Sequence, residues 1–255
     1  MAKAAKIIKI ILISLLFIGL IAYVVFAMIT MHKPDPEARC TQVELVVKKN
    51  PSARFIDEKQ VETILRNAGL YPKGELMSTV DTKKIEDLFR GNDFVESVEC
   101  YKTANNKLCL TIEQRTPVVY ILPNGREGYF VDAKGNVIAK TNYATNLITA
   151  TGDIDKKFAR TGLVELARFI GDDEFWNSQV EQICVSRGKH QKPVIELVPR
   201  VGDHIVYLGS IDDYEKKFAH LKEFYQKALN TVGWNKYSRI DLQYDNQVIC
   251  TKKEN

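Results

Sequence analysis

The strongest feature of the hydrophobic pattern lies near the start of the chain. Ile10 to Ile29 reads IILISLLFIGLIAYVVFAMI, an uncharged run in which only Ser14 and Gly19 lack an apolar side chain. That is the length of helix, about 20 residues, that crosses roughly 30 Å of hydrocarbon. A secretory leader has a shorter apolar core and a small-x-small exit, and Ala27-Met28-Ile29-Thr30-Met31-His32 offers none, so a retained anchor is expected. The polar spacer Lys33-Pro34-Asp35-Pro36-Glu37 then discourages the helix from continuing. Branched and alternating apolar residues from Thr41 to Val47 predict a strand. Ile56-Asp57-Glu58-Lys59-Gln60 supplies an Asp cap with Gln three places on, and Val61, Ile64, Leu65 and Ala68 follow at helical spacing up to Gly69. Val80-Asp81 opens a second helix with Ile85, Leu88 and Phe89, ending at Gly91-Asn92. Phe94 to Lys102 and Lys107 to Glu113 form a hairpin around Ala104-Asn105-Asn106. The result is a β-α-α-β-β unit over residues 38–115, with the helices on one face of the sheet and the other face and the strand edges free.

From Pro117 the pattern changes to short strands and turns. Val118 to Ile121, Tyr129 to Val131 and Val137-Ile138 are strands separated by Pro123-Asn124-Gly125 and by Asp132-Ala133-Lys134-Gly135-Asn136. One helix is predicted over Asp155 to Ile170, with Gly162 weakening its first half. Val180 to Val185, Val194 to Val198 and Ile205 to Leu208 are further strands. Ser210 and Asp213 fit a capping box for a last helix bearing Tyr214, Phe218, Leu221, Tyr225 and Ala228. A terminal hairpin joins Ile240–Tyr244 to Gln247–Thr251. A two-residue turn at Asp245-Asn246 pairs Tyr244 with Gln247, Gln243 with Val248 and Leu242 with Ile249. Leu242 and Ile249 then share the core face with Ile240, and Val248 and Cys250 point the other way. The expected fold class is α+β: a basic tail (1–9), a single transmembrane helix (10–29), the β-α-α-β-β unit (38–115) and a mainly antiparallel β domain with packed helices (116–255).

Charge adds an orientation. Lys3, Lys6 and Lys9 precede the span and no acidic residue occurs before Glu37, so the tail is expected in the cytoplasm and the body outside the inner membrane. The formal charge of +4 owes much to those lysines: without them 33 basic residues face 32 acidic ones. A nearly neutral body with no basic stripe argues against nucleic-acid binding. The odd number of cysteines, Cys40, Cys100, Cys109, Cys184 and Cys250, excludes complete pairing, and strand alternation puts Cys100 on the core face and Cys109 outside.

Chemistry is sparse. Of His32, His190, His204 and His220, only His204, on a strand, and His220, on the last helix, are placed to meet, and neither has metal-ligand spacing. No phosphate loop or G-x-S-x-G elbow occurs. Asp172-Asp173 and Asp212-Asp213 sit at helix ends, where capping explains them. No catalytic residue, cofactor or metal is therefore expected.

The order of anchor, β-α-α-β-β unit and terminal sheet resembles the bacterial division proteins FtsQ/DivIB over almost the whole chain. The resemblance rests on Phe94-Val95 and the following hairpin, on Gln114-Arg115-Thr116-Pro117-Val118, on Tyr129-Phe130-Val131-Asp132-Ala133-Lys134-Gly135-Asn136-Val137, and on Ile240-Asp241-Leu242-Gln243-Tyr244. Gln114 stands where the family usually has Glu, Gln243 where it has Arg and Gln247 where it has Gly, and the Leu-Pro-x-Leu-x-Gly segment is reduced to Leu147-Ile148 and Gly152. The resemblance implies a POTRA domain followed by the family's β domain. It also implies a non-enzymatic role at the division septum, linking FtsB-like and FtsL-like single-span proteins, and other septal membrane proteins, to septal peptidoglycan synthesis. The alternatives are a POTRA-containing transport or assembly component and a membrane-tethered envelope enzyme. In FtsQ-like proteins the terminal edge receives a strand from FtsB, which assigns partner binding here to Tyr244, Gln247, Val248, Cys250, Thr251 and Lys252, with Lys252-Lys253 as charges that otherwise guard the edge.

Overall fold

The computed structural model describes residues 2–31, 35–48, 54–139, 147–245 and 247–253. The first helix, α1 (Ala2–Met31), is longer than the apolar run that predicts it and takes in the basic tail. Its Ile11–Met28 window is long and apolar enough to cross a membrane, and none of its residues is buried inside the molecule, which fits a single-pass anchor. Lys33 and Pro34 of the spacer lie outside the described residues.

Beyond it, β1 (Gln42–Val47), α2 (Glu58–Asn67), α3 (Thr82–Arg90), β2 (Val95–Lys102) and β3 (Lys107–Gln114) form the expected unit, with strand order β1-β3-β2. β1 runs parallel to β3, and β2 runs antiparallel to it. The capping signals act as read: the Asp57 carboxylate accepts the Gln60 N–H at 2.8 Å while Gln60 returns the bond to the Asp57 N–H, and Asp81 caps α3 through Lys84 N–H at 3.1 Å. Val61, Leu65, Ile85 and Phe89 bury against Leu108, Leu110 and Ile112. Cys100 lies on this face and Cys109 on the other, as strand alternation requires. Cys109 is nevertheless buried, because Glu44, whose Oε2 lies 3.5 Å from the thiol, covers it. All five cysteines are free.

The second sheet has nine strands among the described residues. They are β4 (Pro117–Pro123), β5 (Tyr129–Asp132), β6 (Val137–Ile138), β7 (Thr149–Gly152), β8 (Val180–Arg187), β9 (Pro193–Pro199), β10 (Ile205–Gly209), β11 (Tyr237–Asp241) and β12 (Ile249–Lys252), in the order β12-β11-β10-β9-β8-β7-β4-β5-β6. Five ladders are antiparallel; β4–β7, β7–β8 and β10–β11 are parallel. β7 reads Thr-Ala-Thr-Gly and carries no strand signal, yet it lies in the middle of the sheet. Gly152 (φ +112) is required there, since a Cβ would stand 2.0 Å from the Val185 carbonyl oxygen.

The helices pack on one face. The single helix expected over Asp155 to Ile170 is two, α4 (Lys156–Arg160) and α5 (Gly162–Asp172), broken at Thr161 (φ −124, ψ −100). Gly162 sits so close to Ile211 and Phe158 that a Cβ would contact them at 3.0 and 3.1 Å, so the break brings α5 down onto the core. A short α6 (Glu174–Gln179) follows, capped by Asp173. The last helix, α7 (Tyr214–Phe224), passes into a π-helical turn at Tyr225–Leu229. The capping box expected for α7 does not form: Asp213 is left-handed (φ 51) and makes no side-chain cap. Leu163, Leu166, Ile170, Phe218 and Leu221 meet Ile183, Ile195, Leu197, Val206 and Ile240 in this core.

The two sheets share packing. Phe130 and Ile138 of the second sheet belong to the core of the first, where Phe55 stacks on Phe94 at 5.3 Å and tilts against Phe130 at 6.1 Å. Arg115 reaches Asp132 at 3.0 Å, and Asp132 also accepts the Lys134 and Asn136 N–H groups and the Asn136 amide. The Arg115-x-Pro117 and Asp132-x-x-Gly135 segments thus hold each other at the junction.

Candidate partner interface

Among the described residues β12 has one neighbour in its sheet, β11, and forms the outer edge. The expected register is wrong by one residue. Asp241 faces Ile249, Ile240 faces Cys250 and Arg239 faces Thr251. The cause is an early turn: the Asp241 carboxylate accepts the Gln243 N–H at 3.0 Å and its Nε2 at 3.2 Å, and Leu242 N–H goes to the Tyr207 carbonyl at 2.9 Å, so the ladder stops at Asp241. A one-residue slip exchanges the faces of a strand. Ile249, expected in the core, is 46% exposed on the face of Arg239 and Asp241, whereas Val248 and Cys250, expected outside, pack on the core with Ile240 and Leu242. Asn246 of the expected turn lies outside the described residues.

The direction of the main-chain groups follows from the end of the strand. Lys253 N–H donates to the Lys236 carbonyl at 3.2 Å, and the Thr251 carbonyl accepts from Ser238 Oγ at 3.4 Å, so both residues turn their main chain toward β11. By alternation Ile249 does the same, and Cys250 and Lys252 present their N–H and C=O outward. Among the sequence-assigned residues, Tyr244, Gln247, Thr251 and Lys252 are exposed, and Val248 and Cys250 are half-buried. Burial pushes the Cys250 thiol up, keeping it protonated.

Sequence reasoning missed the support around this edge. Lys253 Nζ binds Asp203 at 2.8 Å, a bond that holds the Asp203 carboxyl below its usual range. Arg239 reaches Glu196 at 3.0 Å and lies 4.0 Å from the Tyr207 ring centroid beside Ile249. A cavity of about 330 Å³ opens next to Tyr244, lined among others by Asp212, Lys217, His220, Leu242 and Asp245. Lys217 Nζ donates there to the Leu208 and Ser210 carbonyls at 3.1 and 2.8 Å, and burial lowers its pKa. A polar residue read as part of a capping turn gives no sign of such a cavity.

His204 and His220 do not meet. His204 is buried, with Nε2 2.9 Å from the Tyr225 hydroxyl, and His220 lies on α7 beside the cavity. No group of three or more His, Cys, Asp or Glu among the described residues is placed to hold a metal ion.

A family model described as FtsQ/DivIB, C-terminal related, matches residues 116–251. The chain belongs to the FtsQ/DivIB family. A second model, described as a POTRA-like domain, matches residues 38–113 of this FtsQ/DivIB chain, the stretch that forms the three-stranded sheet and its helices. The FtsQ/DivIB match ends at Thr251 and so takes in most of the edge strand β12. A comparison with curated proteins gave no match.

Proposed function

We propose that the chain is a non-enzymatic bitopic scaffold of the bacterial division machinery that captures a strand of an FtsB-like single-span protein on β12. In this reading it connects that protein, and through it an FtsL-like partner, to septal peptidoglycan synthesis. The supporting observation is the edge itself: β12 ends the sheet and turns the main chain of Cys250 and Lys252 outward, as strand addition requires. The one-sided lysine cluster supports a cytoplasmic tail and a periplasmic body, and a reporter fused after Asn255 is expected to score as periplasmic.

The test is a titration of the full chain in nanodiscs with the soluble segment of its FtsB-like partner. Prolines at Val248 and Cys250 do not discriminate, because both positions share one parity. Lys252→Pro removes an outward N–H from an exposed position and should weaken binding at least about tenfold, roughly 1.4 kcal/mol, with an unchanged melting curve. Thr251→Pro breaks the ladder to β11 and should lower stability as well. Wild-type affinity in a folded Lys252→Pro protein would remove the edge from the mechanism.

A further inference from the structure

Just past β12, Lys253 is fastened at two points, each on an irregular segment of chain. Its N–H donates to the Lys236 carbonyl at 3.2 Å, in the stretch 233–236 that leads into β11. Its Nζ binds Asp203 at 2.8 Å, in the bend 200–203 that leads into β10. One buried side chain packs where these two segments meet. His204 is 1% exposed, with its ring edge-on to Tyr225 at 5.6 Å and tilted against Trp234 at 6.4 Å. Gly202 (φ +84) fits between the segments, since a Cβ there would stand 2.9 Å from His204 Nδ1 and 3.0 Å from the Trp234 carbonyl oxygen.

The last helix holds the ring from the other side. Its π-helical turn buries both Tyr225 and Leu229, and the Tyr225 hydroxyl lies 2.9 Å from His204 Nε2. The Tyr225 ring is itself packed on Trp234 at 4.9 Å and Trp176 at 6.2 Å. With the Tyr225 bond made, a neutral imidazole leaves one nitrogen, Nδ1, without an aligned partner. Protonation makes both nitrogens donors and adds a charge. Burial is the largest influence on that charge and opposes it, as does Lys253 from the end of β12; the Trp234 carbonyl and Asp203 favour it without matching burial. Tyr225 brings no charge, because burial pushes its own pKa far up. Relief comes most cheaply from the two irregular segments, which contain Gly202 and Gly233 at positive φ and, at Val201, a side chain already 44% exposed.

We propose that His204 is a pH-sensitive latch on the edge strand: the neutral ring seats segments 200–203 and 233–236 together, and protonation parts them and frees the end of β12. Asp203 does not carry the response itself. Its bond to Lys253 holds its carboxyl below the usual range, far from where histidine titrates. The closed end binds a proton on His204 less readily than the open end does. The closing effect is therefore complete above pH 6.5 and is lost as pH falls from there toward the depressed value of the closed form. The latch acts on the edge itself, whether or not that edge captures a strand.

Hydrogen–deuterium exchange of the full chain in nanodiscs at pH 7.5 and 5.5, corrected for intrinsic rates, tests the proposal on residues 249–253, with residues 195–197 of β9 reporting on the core. Protection of 249–253 should be lower than that of the core and should fall about threefold to tenfold between the two pH values. About tenfold is the ceiling for one group that titrates at 6.5 when exposed. In His204→Gln the segment should show no such fall. If that variant loses cooperative melting, His204→Phe, which keeps a ring and has no titrating nitrogen, takes its place with the same expectation. Three results would overturn the proposal. These are a wild-type fall smaller than about threefold, an edge that exchanges in step with the core at both pH values, or a fall that persists in the folded variant.

Discussion

At the scale of single residues, Gln114 shows why a departure from a family pattern need not alter the fold. Its Oε1 accepts the Phe55 and Ile56 N–H groups at 2.7 and 2.9 Å in a buried setting, tying the chain ahead of α2 to the end of β3. A carboxylate oxygen accepts as well as an amide oxygen. Gln114→Glu should therefore stay within about 1 kcal/mol of the parent, whereas Gln114→Leu strands two buried donors and should cost about 2–6 kcal/mol in chemical denaturation, at roughly 1–3 for each. His204 carries a pH dependence. Burial holds its pKa below the ordinary 6.5, outweighing the nearby Trp234 carbonyl and Asp203, and its Nδ1 has no aligned partner. The unfolded chain therefore binds the proton more readily than the folded one. The contribution of this residue to stability is complete above pH 6.5 and is lost as pH falls from there toward the depressed folded value. Melting temperatures recorded from pH 7.5 down to 5.5 should fall, and His204→Gln should flatten that part of the profile.

Among the elements, the terminal hairpin separates burial from exposure on adjacent strands. Ile240 is fully buried on β11 and Ile249 half exposed on β12. Ile240→Ala should cost about 2–5 kcal/mol, and Ile249→Ala no more than about 0.5 kcal/mol, measured by denaturant unfolding. Equal losses would restore the register expected from the sequence. That register failed for a local reason. The sequence shows two strand-like runs and an Asp-Asn pair between them, but the Asp241 carboxylate closes a turn earlier and lengthens the loop. In α2 and α3 the capping groups and apolar spacing lie within one turn of each other, and nothing more distant competes, so both helices were legible. β7 was not, because Thr149 to Gly152 has its strand conformation from the ladders of β4 and β8 on either side.

At the scale of the whole molecule, the two sheets should unfold together. Phe130 sits in the second sheet and packs in the first core, and the Arg115–Asp132 pair joins the same junction. Calorimetry of the full chain should show one transition for both sheets. Phe130→Ala should lower it by an amount equivalent to about 3–5 kcal/mol, and a split into two transitions in the parent would contradict the shared core. The sequence alone determined what is local or periodic: an apolar run long enough to span a bilayer, two capped helices, the β2–β3 hairpin and the motifs that identify the family. These signals depend on residues a few positions apart, so the pattern carries them without knowledge of the fold. The tertiary structure decided the rest: the parallel neighbours of β7, the break at Thr161, the face on which Ile249 lies and the cavity beside Tyr244. Each of these depends on which distant main chain, carboxylate or carbonyl arrives alongside, and linear spacing does not encode that arrival.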